Sequence, residues 1–466
     1  MGERHVCRTH ELLQLGSHAA PLRARTVTTT GRHRQLVIVA QFSDVPFQGD
    51  DFMQLWNDIY NAKNYTALGH YGSMHDYFYA QSYGQFDLQF DLFFTTLPNG
   101  YAYYGVNDSK GYDRRAGEMV VDAVKGVEDQ IADWSVYDWD ADGYINQVII
   151  QYSGKGENDR GGANTIWPHQ WTLSEEGTGV YTLPNGLKID CYECSSELDR
   201  DNEYGTFGVL CHEFSHCFGL PDYYNGSTQF VGMWDVMDYG LYNGNGFCPA
   251  GYTAHERMLM GWLEPTELTE PATVSGMQPV NEQPEAYLVR NDGYSNEFYL
   301  LENRQQTGWD SCVPGSGLLV FHIDYNQLAW SMNQPNTSSN KRYTIFAANN
   351  NTSDSKSALW PYPYQDNDSL TNNSKPAATL LHKNSDGTNY MNKPLTHMQV
   401  TDGLASFDFM GGATAGILSL RASSGLAPSR VYDLHGHSLG TSLVSLPQGI
   451  YIIRYANGET KKVVKH

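Results

Sequence analysis

The stretch Leu210-Cys-His-Glu-Phe-Ser-His-Cys-Phe-Gly-Leu-Pro-Asp-Tyr-Tyr224 decides how the rest of the chain is read. His212 and His216 stand four residues apart, roughly 40° around a helix, so both imidazoles leave one face and converge on one divalent ion. Glu213 follows the first histidine on the same side but off the plane of the two nitrogens. From there a carboxylate can take a proton from a water in the site. Gly219 suits the left-handed conformation that ends a helix, and Pro221 cannot continue one. The chain must turn, and the turn carries Asp222 back toward the metal. The spacing therefore predicts zinc held by His212, His216 and Asp222, with Glu213 as the acid/base. The bland alternative is a helix with two hydrogen-bonded histidines. The glycine, the acid three residues later and Met237 in Trp234-Asp-Val-Met-Asp-Tyr-Gly240 weigh against it.

A chain of 466 residues exceeds what one core usually supports, so about two or three domains are expected. Apolar residues make up 40% and charged ones 18%, a globular rather than a disordered composition. A formal charge of −22 and a pI near 5.0 exclude nucleic acid as a partner, because a phosphate backbone needs a basic face. The same charge suits calcium binding and solubility outside the cell. No apolar run is long enough to span a membrane. Met1 to His10 holds no apolar leader core, so export implies a removed leader, or the extracellular assignment fails.

The seven cysteines, Cys7, Cys191, Cys194, Cys211, Cys217, Cys248 and Cys312, are too few for a disulfide framework and odd in number. Cys191-x-x-Cys194 with Cys211 and Cys217 raises a second, structural zinc site. Cys211 and Cys217, six apart, point about 120° from each other on a helix, so buried thiols are the expectation. Cys7, upstream of the domain, is a candidate thiolate stopper for the open zinc position.

Residues 1–34 are arginine-rich without apolar periodicity and read as a prosegment remnant or linker. Residues 35–265 carry the metal motif. They open on the continuous apolar run Leu36 to Ala40, a strand buried on both faces. Helices are expected over 50–61, 73–82 with Ser73 as N-cap, 114–131 and 253–262, and strands over 86–92 and 147–152. Asp138, Asp140 and Asp142, with Gly143 in sixth place, then Tyr144 and Asn146, resemble the first half of a calcium-binding EF-hand loop. Ile149 replaces its closing glutamate, so the expected calcium site closes in a non-standard way. Ile166-Trp-Pro-His169 is limited by its proline to an edge or loop and is a candidate wall of the site. Residues 266–411 contain short strand-like runs between polar loops and read as a β-sandwich-like domain. A linker at 412–429 leads to a small β domain at 430–466, with three short strands and an Asn457-Gly turn. The expected class is α+β: a mixed sheet with an active-site helix, then the two β domains.

Between about 35 and 411 the chain resembles the immune inhibitor A family of secreted bacterial zinc metallopeptidases. The likeness lies in Gln41-Phe-Ser-Asp44, Gly72-Ser-Met-His-Asp-Tyr77, Gln81-Ser-Tyr-Gly84, Asp138 to Gly143, Ile166 to His169, His212 to Asp222, Trp234 to Met237, Leu301-Glu-Asn-Arg304 and Gly317 to Asp324. The resemblance implies His212, His216 and Asp222 as ligands and Glu213 as catalytic acid/base, in a metzincin-like domain with Met237 in a turn beneath the zinc. The sequence departs from it in the cysteines flanking the helix and in Asp238-Tyr239, where small residues are common. Tyr239, two after the methionine, stands as in some metzincins whose tyrosine contacts the metal or the oxyanion. Val431-Tyr-Asp-Leu434, Gly449-Ile-Tyr-Ile-Ile453 and Lys462-Val-Val-Lys465 resemble a type IX secretion sorting domain, which implies handling by a secretion machinery.

The expected function is a secreted or cell-surface zinc endopeptidase acting on proteins or peptides, with Glu213 and Tyr239 as catalytic residues. The alternative is a non-catalytic adhesin that binds glycan or protein and keeps a structural zinc site. Glu213 and the open fourth position distinguish them, since a structural site has no use for either.

Overall fold

Alternate residues of one strand feed two different cores, and this sets the architecture. In the computed structural model, which describes residues 28–351, 358–362, 367–412, 428–433, 437–440, 446, 449–455 and 460–465, the run Leu36 to Ala40 is fully buried. It lies in β1 (Gly31–Gln41). Val37 and Val39 join the core of α1 (Phe52–Asn61) and α2 (Met74–Gln81). Leu36, Ile38 and Ala40 face the opposite core, under the stripe Met119, Val120, Ala123, Val124 and Val127 of the helix Ala116–Val127.

The first sheet also contains β2 (Phe86–Thr96), β3 (Val148–Lys155), β4 (His169–Thr172) and β7 (Cys191–Leu198), in the order β2-β1-β3-β7-β4. All neighbours pair in parallel except β4, which runs antiparallel along β7 and forms an edge. Around it lie α3 (Tyr101–Gly105), α4 (Ala116–Val127), α5 (Leu173–Glu176), the small hairpin of β5 (Tyr181–Thr182) and β6 (Lys188–Ile189), α6 (Phe207–His216) and α7 (Ala254–Leu259). Ser73 caps α2 in a reciprocal capping box with Asp76, and Thr253 caps α7 in the same way with Glu256.

The second unit begins with β8 (Thr266–Glu267), β9 (Ala272–Met277), β10 (Tyr287–Arg290), β11 (Glu297–Arg304) and β12 (Gly317–Asp324). It continues through α8 (Gln327–Ser331), β13 (Tyr343–Ile345), β14 (Leu395–Thr401) and β15 (Leu404–Phe409). The sheets β13-β12-β11-β10-β8 and β14-β15-β9 enclose a shared core that includes Tyr299, Leu318, Val320, Met398 and Phe407. The other face of the larger sheet, with Leu300, Leu319 and Phe321, belongs to the same core as Phe214 and Trp234 of the first unit. The two units are thus packed through one continuous apolar interior.

Several expectations change. Residues 31–34 belong to β1 rather than to a leading segment, because they pair with Phe86 to Gln89 while Arg32 and Arg34 reach Asp87 and Asp91. The helix expected over 253–262 stops at Leu259, with Gly261 at φ +75° turning the chain away. The last unit has four strands rather than three: β16 (Pro428–Tyr432), β17 (Ser438–Gly440), β18 (Gly449–Tyr455) and β19 (Thr460–Lys465), ordered β17-β16-β18-β19 over Val431, Tyr451 and Ile453. Cys7, Leu434, residues 413–427 of the linker and the Asn457-Gly turn lie outside the described residues.

Candidate metal centre and active site

Residues Phe207 to Ser215 of α6 are all buried, so the helix runs through the core rather than over it. Gly208 permits this: a Cβ there would stand 1.9 Å from the Leu241 carbonyl oxygen, so only glycine lets the helix lie against that segment. Gly219, at φ +86°, ends the helical course, and the chain doubles back through Pro221 to Asp222.

Three ligand-type atoms meet at this corner. His212 Nε2 and His216 Nε2 lie 3.1 and 3.4 Å from Asp222 Oδ1, and the two rings stand nearly perpendicular, 4.8 Å between centroids. The opposite ring nitrogens are already committed: Nδ1 of His212 lies 2.8 Å from the Val236 carbonyl and Nδ1 of His216 lies 2.6 Å from that of Leu220. A carbonyl only accepts, so each Nδ1 carries the proton and each Nε2 turns a lone pair inward. Asp222 Oδ1 is buried and makes no hydrogen bond. An orphaned carboxylate oxygen beside two imidazole lone pairs is a donor set of the kind zinc takes, so the residues fit the ion. Burial acts to raise the Asp222 pKa; without an ion, positive charge on His216 and His212 would outweigh it and hold the carboxyl well below its usual value.

Glu213 lies against the same corner, its carboxylate within 4.8 Å of the ligand atoms of both histidines. Its Oε2 accepts a hydrogen bond from the Gln170 backbone N–H of β4 at 3.1 Å, which ties the helix to the sheet edge. Burial pushes its carboxyl up to about 8; His212 opposes this and Asp222 adds to it. Met237, which follows the Val236 whose carbonyl faces His212, is fully buried, and its own carbonyl accepts from Tyr223 N–H at 2.8 Å. Asp238 Oδ2 accepts from the backbone N–H groups of Phe230, Val231 and Gly232 at 2.9, 2.8 and 2.7 Å and closes the loop before the methionine. Tyr239 stands edge-on to Tyr224, which stacks on His212, and lines the pocket that His212 and Glu213 also line.

The second unit supports the site. Asn333 Nδ2 donates to Asp222 Oδ2 at 2.7 Å, and Asn333 Oδ1 accepts from Asp222 N–H. Tyr343 stacks on Tyr223 at 3.7 Å, and its hydroxyl donates to Asp235 Oδ2 at 2.9 Å. Neither Asn333 nor Gln170 was legible as a site residue. Asn333 lies 111 positions from Asp222, and Gln170 contributes only its backbone.

His169 is not part of the ligand cluster: its Nε2 lies 2.9 Å from the Tyr192 hydroxyl and its Nδ1 2.6 Å from the Trp167 carbonyl. Among the described residues the cysteines form no cluster of three or more ligand atoms. Cys211 packs on Met74, and Cys191 and Cys217 stand 4.0 Å apart. In the acidic loop, carboxylate oxygens of Asp138, Asp140 and Asp142 come within 4.8 Å of one another. Asp138 accepts from the Asp142 and Gly143 N–H groups, Asp142 from Tyr144 N–H, and the Asn146 side chain from Trp139 N–H. Ile149, in the twelfth place, is buried in β3.

Residues 27–260 match the model of the immune inhibitor A peptidase M6 catalytic domain. The chain is 28% identical over 193 residues to an immune inhibitor A of Bacillus thuringiensis subsp. alesti, covering 35% of this chain and 28% of that protein. It is 26% identical over 283 residues to the pre-pro-metalloprotease PrtV of two Vibrio cholerae serotype O1 strains, covering 50% of this chain and 30% of theirs. The match spans under a third of the length of these relatives. With half of its length accounted for by that domain, the chain belongs to the immune inhibitor A peptidase M6 family.

Proposed function

We propose that this protein is a secreted zinc endopeptidase that hydrolyses peptide bonds of extracellular proteins. The observation that carries the reading is the buried corner where His212 Nε2, His216 Nε2 and Asp222 Oδ1 converge, with both Nδ1–H groups already satisfied. These three residues would hold the ion. Bound zinc would polarise the scissile carbonyl and make a water in the site more acidic. Glu213 takes the proton of the attacking water and returns it to the leaving amine, its carboxylate oriented by Gln170 N–H. Tyr239, in the pocket wall, stabilises the oxyanion. The edge of β4 accepts extended substrate as a further strand through backbone hydrogen bonds. The adhesin alternative, with a structural zinc site, leaves Glu213 and the open fourth position without a purpose.

A peptide-library digest with and without a zinc chelator tests this reading. It predicts about one zinc per chain, with cleavage lost on chelation and restored by zinc. Native protein that binds no zinc, or cleavage indifferent to the chelator, contradicts it.

Two finer assignments belong to the same proposal. The loop Asp138 to Asn146 would bind calcium through Asp138, Asp140, Asp142, Asn146 and the Tyr144 carbonyl, supported by the clustered carboxylates. Calcium should then raise the melting temperature of the wild type but not of Asp140→Asn/Asp142→Asn; an equal response in both rejects the site. The C-terminal unit would serve as an export address. Deleting residues 428–466 should then leave the product inside the cell, and unchanged export would refute the assignment.

A further inference from the structure

We infer that Asn333 is a positioning residue for the metal centre, a device by which the β unit controls how Asp222 presents its carboxylate. The inference rests on the reading of Asp222 as a metal ligand. A backbone N–H only donates, so the Asn333 atom facing Asp222 N must be Oδ1, which puts Nδ2 against Asp222 Oδ2. The amide thereby grips the main chain and the side chain of one residue at once. One carboxylate oxygen is occupied, and the other, Oδ1, is left toward the two imidazoles. Without the amide, the Asp222 carboxylate loses its restraint about χ2, and its N–H and Oδ2 lose a buried partner.

The gripping residue is itself held. Asn333 follows α8, donates its backbone N–H to the Trp330 carbonyl at 3.0 Å, and sits at φ +54°, a left-handed conformation that asparagine tolerates. Asn326 caps the start of α8 by accepting from Ala329 N–H. Three residues beyond Asn333, Asn336 donates to the carbonyls of Tyr223 and Tyr343 at 2.8 Å each and accepts from Tyr343 N–H. Asn336 anchors the same loop through hydrogen bonds to Tyr223 and Tyr343 rather than to the Asp222 side chain, so it separates loop anchoring from action on the ligand.

The full-length chain as wild type, Asn333→Ala, Asn333→Asp, Asn336→Ala and Asp222→Asn provides the test. Readouts are the zinc Kd by chelator competition, the visible spectrum of the cobalt-substituted protein, and the melting temperature of the metal-free protein. Asn333→Ala should raise the zinc Kd about 10- to 100-fold and alter the cobalt spectrum. Asn333→Asp keeps the side-chain volume but sets a carboxylate against Asp222, and should weaken zinc at least as much. Asn336→Ala should lower the melting temperature while leaving the zinc Kd within about threefold. If both Asn333 variants bind zinc like the wild type, or no more weakly than Asn336→Ala, the inference is overturned. If Asp222→Asn also binds zinc normally, the ligand reading beneath it falls as well; if Asp222→Asn alone loses zinc, only the role of Asn333 is lost.

Discussion

Arg304 of β11 donates to Asp310 Oδ1 at 2.6 Å, with both side chains essentially fully buried where the two large units meet. Arg304 also reaches Glu302 at 3.0 Å, Glu302 accepts from Ala254 N–H of α7, and Asp310 accepts from Gly251 N–H. The ion-pair network therefore orients the segment after the metal loop. Arg304→Met would leave two carboxylates buried without their cation, at a cost of about 3–5 kcal/mol. Urea unfolding measures this, and a loss under about 1 kcal/mol would show that the network does not hold the units together.

His255 in α7 is fully buried among Phe298, Tyr325, Trp330 and Tyr343, and neither ring nitrogen has a hydrogen-bond partner. Burial lowers its pKa to about 3, against 6.5 for the free group. Below pH 6.5 the unfolded chain takes up a proton that the folded chain refuses, so this contribution to stability is lost as pH falls from 6.5 toward 3. His255→Phe should therefore gain about 2 kcal/mol relative to wild type between pH 8 and pH 5, at roughly 1.4 kcal/mol per unit below 6.5. Urea midpoints of both proteins at the two pH values check the difference. A pH-independent gap would contradict a neutral buried imidazole.

Gly208 lets α6 lie against the Leu241 carbonyl, so Gly208→Ala should push the helix away from the loop that carries Met237 and Tyr239. The expected cost is about 1–3 kcal/mol with weaker zinc binding, because the shift moves both imidazoles together. Thermal melting and zinc titration read the two effects. A variant as stable and as zinc-avid as wild type would show that the close approach is dispensable.

Local chemistry made part of this molecule readable in advance. The apolar run of β1, the stripe of α4 and the N-cap at Ser73 each satisfy a one-dimensional rule. The spacing of His212, His216 and Asp222, with the turn at Gly219, likewise anticipates the corner in which the structure brings the two imidazoles and the carboxylate together. The interior strand β7, between β3 and the edge strand β4, was not legible because its sequence Cys-Tyr-Glu-Cys-Ser-Ser-Glu-Leu has neither an apolar run nor alternation. The buried carboxylate of Glu197 needs partners from elsewhere, the N–H groups of Gln48 and Gly154, while Glu193 accepts from the Ser195 hydroxyl of the same strand. Asn333 was invisible for a similar reason, since only the packing of a second unit onto the first brings it to Asp222.

The most direct test is Glu213→Gln in the full-length chain, assayed for zinc content and for cleavage of a peptide the wild type cuts. If Glu213 moves the proton while His212, His216 and Asp222 hold the ion, the variant keeps its zinc and kcat/KM falls by about 10²- to 10⁴-fold. Zinc retained with cleavage at the wild-type rate would contradict the account.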